Sequence, residues 1–340
     1  MSWYSTVGKN ADTVISSRVR LARNLNGYHF LSKLEAPLAN EIIEKLSVPM
    51  EAAGFRKISF ADISPIMATS YVERHYASPD FAAMETPHAL MLREADGLAV
   101  MIGEEDHLRI QSILAGLSLE EAYQNASHVE KQLDESFDFS YHESLGYLTH
   151  CPTNLGTGMR ASVMMFLPAL TKNGYMDALA ARLSKIGLTV RGLFGEGSGA
   201  AGYMYQISNQ VTLGLSEAEI LKKLNGAVGQ IIESERRVRK AISGEALERL
   251  TDNVLRSEGI LKYAHRMSTE EFIKLMAEVR FGISLGVIKD VTYEQLGSLL
   301  VDVMPATLTL SSENTPKTES ARDKLRAQKI RSVLCGSKNE

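Results

Sequence analysis

The chain has only two cysteines, Cys151 and Cys335, in 340 residues. That excludes a disulfide scaffold and makes a reducing compartment, the cytoplasm, the expected home. Neither cysteine stands in a metal-ligand spacing, so no metal held by protein ligands is expected. No apolar run reaches the length a bilayer demands, and the polar start Met1-Ser2-Trp3-Tyr4-Ser5 is unlike a signal peptide. No membrane partner is expected. A basic excess is missing as well: 37 Lys and Arg stand against 41 Asp and Glu, a net charge of −4. That balance disfavours nucleic acid as the main partner, although a local basic cleft is allowed because global charge does not report local fields. The glycine-lysine signature of a Walker loop is absent, which excludes a P-loop protein. Internal repeats and low-complexity tracts are absent too.

What is present is an ordinary globular composition, 44% hydrophobic and 23% charged, in a chain long enough for two domains. The first two-thirds mixes strands and helices. Alternation predicts a strand from Val14 to Leu21 with Arg18 and Arg20 on one face. Further strands are predicted over Leu98–Ile102, His107–Gln111, Arg160–Leu167, Leu188–Arg191 and Tyr203–Leu213. If extended, the second of these places His107, Arg109 and Gln111 together; the third places Arg160, Ser162, Met164 and Phe166 on one side. A glycine-rich loop, Gly192 to Gly202, lies between the last two. Capping boxes predict helix starts at Ser118 with Glu121, at Ser216 with Glu219 (running to about Ile242), and at Ser268 with Glu271. After about Gly244 the pattern is helical, with a Pro/Thr/Ser break over Met304–Thr318 and a last charged helix, Glu319–Leu334. The expected class is α+β, an antiparallel sheet flanked by helices over residues 1–244, followed by a small helical domain over 245–340.

Several arginines on strand faces make a cationic floor. Guanidinium suits phosphate because its planar fork donates in pairs and stays charged. Singly, Arg18, Arg20, Arg109 and Arg160 read as surface charge; jointly, with Arg191 at a strand end, they point to a polyphosphate. Glu104, Glu105 and Asp106 run directly into His107 and Arg109, so a carboxylate there can align a nucleophile or take its proton. Glu196, inside Gly195-Glu196-Gly197-Ser198-Gly199, reads as a second carboxylate on a movable loop. Gly156 and Gly158 can bring backbone N–H groups up to an anion. Phosphoryl transfer needs this set of parts, positive charge around phosphates and a carboxylate aimed at the nucleophile.

The strings Ser-Ser-Arg-Val-Arg (16–20), Glu-Glu-Asp-His-Leu-Arg (104–109), Cys-Pro-Thr-Asn-Leu-Gly-Thr (151–157) and Arg-Gly-Leu-Phe-Gly-Glu (191–196) occur in the order and spacing of the phosphagen (guanidino) kinase catalytic domain. The chain resembles that family across roughly residues 14 to 243. The resemblance implies ATP as phosphoryl donor, with Mg2+ on its phosphates, and phosphates held by Arg18, Arg20, Arg109, Arg160 and Arg191. It implies nucleotide contacts along Ser17, Arg18, Val19 and Arg20, along Arg160, Ala161, Ser162, Val163 and Met164, and along Arg191, Gly192, Leu193, Phe194, Gly195 and Glu196, with His75 near the nucleotide. It also implies that Glu105 and Glu196 hold the guanidinium, with Cys151 beside the substrate. Either glutamate can be the base; Glu105 is read as base and Glu196 as clamp, with Asp106 assisting. Gly103 departs from the family, many members having asparagine there.

Small-substrate members carry a helical domain ahead of the first arginine motif, which here begins at Ser16, so a more open guanidino site is expected. A helical C-terminal extension carries Arg322-Asp323-Lys324-Leu325-Arg326-Ala327. Both features are similar to the bacterial protein-arginine kinase family and imply arginine side chains of other proteins as substrate, with regulated proteolysis and stress control as setting. The resemblance adds an activator protein, a Clp-type protease system and a homo-oligomer as expected partners. It also makes Arg322, Asp323, Arg326 and Ala327 a phosphoarginine receptor. Spacing places Arg322 and Arg326 on one helix face, able to grip one phosphate. Two other readings are open: a kinase of small free guanidines, told apart by turnover of free arginine or creatine, and a non-catalytic phosphoarginine-binding adaptor, told apart by the absence of ATP consumption.

Overall fold

The computed structural model describes residues 2–192, 201–312, 316 and 318–336. Its strands, in chain order, are β1 (Val14–Arg23), β2 (Arg56–Ser59), β3 (Ala89–Arg93), β4 (Leu98–Ile102), β5 (Leu108–Ala115), β6 (Tyr141–His142), β7 (Gly146–Tyr147), β8 (Met159–Phe166), β9 (Leu188–Gly192) and β10 (Met204–Asn209). Eight of them make one sheet in the order β2-β3-β4-β5-β1-β8-β10-β9, and every neighbouring pair is antiparallel; β6 and β7 form a separate short hairpin. The helices are α1 (Ala36–Ala52), α2 (Pro65–Glu73), α3 (Pro79–Ala82), α4 (Leu119–Asp134), α5 (Pro168–Lys172), α6 (Met176–Ser184), α7 (Glu217–Lys240), α8 (Gly244–Tyr263), α9 (Thr269–Ser284), α10 (Tyr293–Asp302), α11 (Pro305–Leu310) and α12 (Glu319–Cys335). The α+β class with a helical C-terminal part matches the expectation.

The period-2 pattern sorts the strands' side chains onto two faces. One face is apolar throughout: Val19, Leu21, Val100, Ile110, Ala161, Val163 and Ile207 are buried against α1, α4 and α7. Helix α7 meets it with Ile220, Leu224, Val228 and Ile231, an i, i+4, i+8, i+11 stripe. The other face is apolar only at its ends. Over β2 to β4, Ile58, Leu90, Leu92, Ala99 and Met101 pack with Phe60, Tyr71, Tyr76 and Phe81. At the far end Phe166 and Met204 join a core built by α8 to α12, including Phe272, Ile273 and Met276. The strip between these two patches carries the arginines.

Some local expectations need correction. The box at Ser216 forms in both directions, and Ser268 accepts from the Glu271 N–H. Ser118 makes no side-chain cap; its hydroxyl donates instead to the Ala115 carbonyl. The strand expected to reach Leu213 stops at Asn209, because the Gln210 N–H leaves the sheet for the Gly187 carbonyl. The break expected over residues 304–318 contains α11, whose first N–H groups are taken by the Glu73 carboxylate. That partner lies more than 200 residues away and leaves no local trace in sequence.

Candidate active site

Sheet register brings the first arginines together. Arg20 lies opposite both Arg160 and Gln111, Arg18 opposite Ser162 and Ile113, and Ala22 opposite Arg109, so these residues share one face. The Arg18 Nη2 donates to Gln206 Oε1 at 2.8 Å, and Gln206 lies opposite Arg191 on β9. The Nε atoms of Arg20 and Arg160 are buried with no hydrogen-bond partner among the described residues. Burial, reinforced by the neighbouring Arg109 and Arg160 charges, lowers Arg18 to about 10. Arg20 is pushed down by burial and by Arg18, Arg109 and Arg160, and Arg160 by burial and by Arg191 and Arg109. Such a cluster of desolvated like charges is the electrostatic signature of an anion site. Ser17, Val19, Ala161 and Val163 alternate with these residues and face the opposite side, where the last three pack in the core and the Ser17 hydroxyl donates to the Gly116 carbonyl. Gly192 ends β9; Leu193, Phe194, Gly195 and Glu196 lie outside the described residues.

The turn between β4 and β5 supplies three carboxylates with different surroundings. Gly103 enters it at φ 86°, the left-handed region that glycine takes freely and asparagine tolerates. Glu104 is buried and accepts from Ser78 Oγ (2.5 Å) and Arg109 Nη1 (2.7 Å). Glu105 is 36% exposed, with Oε2 at 3.3 Å from Arg109 Nη2 and Oε1 at 3.9 Å from His150 Nδ1. Asp106 is 1% exposed, and its Oδ1 accepts from Asn24 Nδ2 and the His150 N–H, both at 2.7 Å. It ties the end of β1 to the segment carrying Cys151. His107 does not join Arg109 and Gln111 as expected: it precedes β5, buried, with Nδ1 accepting from the Leu25 N–H and Nε2 at 2.9 Å from the His29 carbonyl.

Arg20, Glu105, Arg109, Cys151, Thr153, Asn154, Gly158 and Arg160 line a cleft of about 180 Å³. The Cys151 Sγ lies 3.0 Å from Thr153 Oγ1. The two glycines of this loop have a packing reason beyond any anion. A Cβ on Gly156 would stand 2.4 Å from the Thr212 carbonyl oxygen, and one on Gly158 would stand 2.7 Å from that of Ala22. An adjoining cleft of about 150 Å³ runs past Arg160 to Thr189 and Arg191. On the other side of Arg18 a smaller, more apolar pocket of about 60 Å³ is lined by Trp3, Ile15, His75, Ile113, Ser162, Met164, Met204 and Leu300. Burial and the Arg18 charge lower the His75 ring to about 4, so it is neutral at physiological pH.

Sequence reasoning missed Asn24 and Gln206, because an amide that meets its partner only across the sheet or between distant segments carries no motif of its own. It also gave no role to Arg23, which is 1% exposed beneath the cleft. Arg23 pairs with Glu130 at 2.6 Å, donates to the Thr157 carbonyl and stacks 3.5 Å from the Tyr147 ring centroid.

The C-terminal motif departs from the expected geometry. Arg326 is 1% exposed and does not share an open face with Arg322. Its Nε donates to the Val303 carbonyl at 3.0 Å, and its Nη1 to the Met267 carbonyl at 2.8 Å and to Asp323 Oδ1 at 2.6 Å. Ala327 is buried beside it, while Arg322 stays half-buried. The packing of α12 on α8 and α10 recruits this arginine as an internal clamp. Arg326→Ala is therefore expected to destabilise the helical part, since two buried carbonyls would lose a charged donor, at a cost of about 1–3 kcal/mol for each unsatisfied group. Arg322→Ala should leave the melting temperature within a degree or two. Thermal melts of both variants check this, and an unchanged Arg326→Ala melt would refute the clamp.

Two family models account for most of the chain. Residues 38–238 match the ATP:guanido phosphotransferase C-terminal catalytic domain, and residues 247–340 match the protein-arginine kinase McsB C-terminal domain. By class, then, the protein is an ATP:guanido phosphotransferase. The duplicated taurocyamine kinase of Schistosoma mansoni, solved with transition state analog components, has the same fold. Its TM-score is 0.61 at 23% identity, over 79% of this chain and 43% of that one. Lombricine kinase gives 0.58 at 23% identity over 72% of each chain. Relatives named protein-arginine kinase are nearer: that of Desulforamulus reducens is 40% identical over 99% of this chain and 96% of its own length, and that of Clostridium tetani 38% identical over 99% of each. The chain belongs to the protein-arginine kinase family.

Proposed function

We propose that the protein transfers the γ-phosphoryl group of ATP to the guanidino nitrogen of arginine side chains in other proteins. The observation that carries this reading is the near-full-length similarity to protein-arginine kinases, including a C-terminal part of that family. The geometry fits the chemistry. The apolar pocket of Trp3, His75, Ser162 and Met164 suits base and ribose. Arg18, Arg20, Arg109, Arg160 and Arg191 lie along the phosphate path, and Glu105 opens into the cleft where the guanidinium would enter.

A guanidinium is a poor nucleophile because it is protonated, with a pKa above about 12. Glu105 fixes its plane and accepts the proton released as the N–P bond forms and the bond to the ADP oxygen breaks. Glu196 serves as clamp, and Asp106 acts as a positioning residue through Asn24 and His150. The arginines stabilise charge on the transferring group in line with the nucleophile. Cys151 borders the guanidinium without covalent duty. Mg2+ would come with the nucleotide, held by its phosphate oxygens and water, and would supply charge stabilisation to the transferring group.

We read residues 1–244 as the catalytic unit and 245–340 as a helical unit, supported by the turn between α7 and α8. Within it, Arg322 and Asp323 are our candidate phosphoarginine contacts, with the buried Arg326 and Ala327 of the same motif supporting the helix from beneath. No helix among the described residues is long and apolar enough to cross a membrane. A cytoplasmic setting with an activator protein, a Clp-type protease and self-association completes the reading.

The test is mass spectrometry of a model protein after incubation with ATP-Mg2+, under conditions that preserve acid-labile N–P bonds. Phosphoarginine on protein, formed far faster than from free arginine, is expected. Comparable efficiency on free arginine would remove the protein-substrate assignment.

A further inference from the structure

Glu73 takes no part in the site described so far, yet it is held more fully than any surface glutamate requires. Its carboxylate accepts from the Ala306 N–H at 2.9 Å, the Thr307 N–H at 2.7 Å and the Thr307 hydroxyl at 2.7 Å. The same hydroxyl lies 3.0 Å from Ser70 Oγ, one turn back on α2. The last residue of α2 is thus joined to the first turn of α11, more than 200 residues further along the chain. Charge-assisted bonds of this kind are roughly twice as strong as neutral ones.

Directly after Glu73 the chain enters the nucleotide pocket. The Arg74 carbonyl accepts from Trp3 Nε1 at 3.2 Å, and its guanidinium pairs with Glu94. His75 has φ 62° because it closes α2 as a left-handed cap: its N–H donates to the Val72 carbonyl and the Tyr76 N–H to the Tyr71 carbonyl, both at 2.9 Å. The His75 carbonyl accepts from Gln111 Nε2 at 2.7 Å, on the arginine-bearing face, and its ring meets Trp3 edge-on with centroids 5.6 Å apart. On the other side of the joint, Val303, three residues before Ala306, gives its carbonyl to the buried Arg326 of α12, and Leu300 of α10 lines the same pocket as His75.

We infer that Glu73 is a positioning residue for nucleotide binding: by clamping α11 it fixes where the capped end of α2 sits, and with it the place of His75 beside Arg18, so the packing of the C-terminal helices sets the affinity for ATP. The inference rests on the nucleotide reading of this pocket. Glu73 touches neither substrate nor reacting atoms, so its loss should move binding and spare chemistry. A coupling between two sites is commonly worth about fivefold or more in affinity.

Trp3 is the single tryptophan of the chain and lines the pocket, which makes its fluorescence a local reporter. The experiment titrates ATP-Mg2+ into full-length wild type, Glu73→Gln, Thr307→Val and Thr307→Ser, following Trp3 emission, with calorimetry, melting temperatures and steady-state kinetics alongside. Glu73→Gln and Thr307→Val are expected to raise Kd and KM for ATP about fivefold or more, with kcat at saturating ATP within about twofold. Thr307→Ser, which keeps the hydroxyl, should match wild type. Unchanged ATP affinity in Glu73→Gln and Thr307→Val, while wild type binds normally, would overturn the inference. So would a fall in kcat alone, or a lower melting temperature with unaltered Kd, either of which marks a merely structural contact. Absence of ATP binding to wild type would bring down the nucleotide reading itself and the inference with it.

Discussion

Glu105→Gln is expected to lower turnover by about 10²–10⁴-fold, the usual cost of removing a positioned acid–base group, while ATP affinity stays near wild type. The substitution keeps shape and leaves a carbonyl oxygen to accept from Arg109 Nη2, now 3.3 Å from the carboxylate, so the phosphate side of the cleft is preserved. What disappears is the carboxylate proposed to accept the proton of the incoming guanidinium, since an amide cannot take it up at neutral pH. The neighbouring carboxylates cannot substitute. Glu104 is buried and shared between Ser78 and Arg109, and one oxygen of Asp106 is committed to Asn24 and His150. Glu196→Gln should behave similarly if it clamps the same group. Single-turnover rates and ATP titrations on each variant separate chemistry from binding, and near-normal turnover in Glu105→Gln would strike it from the mechanism.

Arg160→Ala should cost on the order of 10²-fold or more in rate, the scale seen when one preorganised charge stabiliser is lost, and should weaken ATP binding as well. Its effect on the empty protein should run the other way. Among the described residues the buried Nε of Arg160 has no hydrogen-bond partner, and burial, together with the neighbouring Arg191 and Arg109, disfavours its charged form. Removing it relieves repulsion, so the melting temperature without nucleotide should hold or rise, while the stabilisation conferred by ATP shrinks. Binding to the folded state alone adds about 2.7 kcal/mol at a hundredfold excess over Kd, so the two melts, with and without ATP, are readily told apart. Wild-type turnover in this variant would exclude Arg160 from the phosphate path.

The sequence made the arginine floor legible because alternation is a strong local signal. Arg18 with Arg20 and Arg160 with Ser162 needed only a period of two, and the strands β1, β4, β8 and β9 lie within two residues of their expected limits. The α+β class followed from the same pattern. The contacts that close the site were beyond reach. Asn24 reaches Asp106 across 82 residues, Gln206 reaches Arg18 across 188, and Glu73 reaches Thr307 across 234. Each is set by topology and by no neighbouring residue. The same limit misled the reading of Arg326: an i, i+4 spacing says which residues share a helix face and nothing about which face is buried. His107 failed for a related reason, since the strand it was expected to open begins one residue later.

The two ends of the sheet order, β2 and β9, are edge strands, and each bears basic side chains: Arg56 and Lys57 on one, Arg191 on the other. An open edge offers unpaired backbone groups to any extended chain, and lysine or arginine there discourages such pairing. At this edge position Arg191, proposed above as a phosphate contact, is also a basic side chain of the kind that disfavours pairing between copies. An apolar replacement at this position would be met first in the laboratory as a protein that precipitates on concentration, before any assay of turnover could be run.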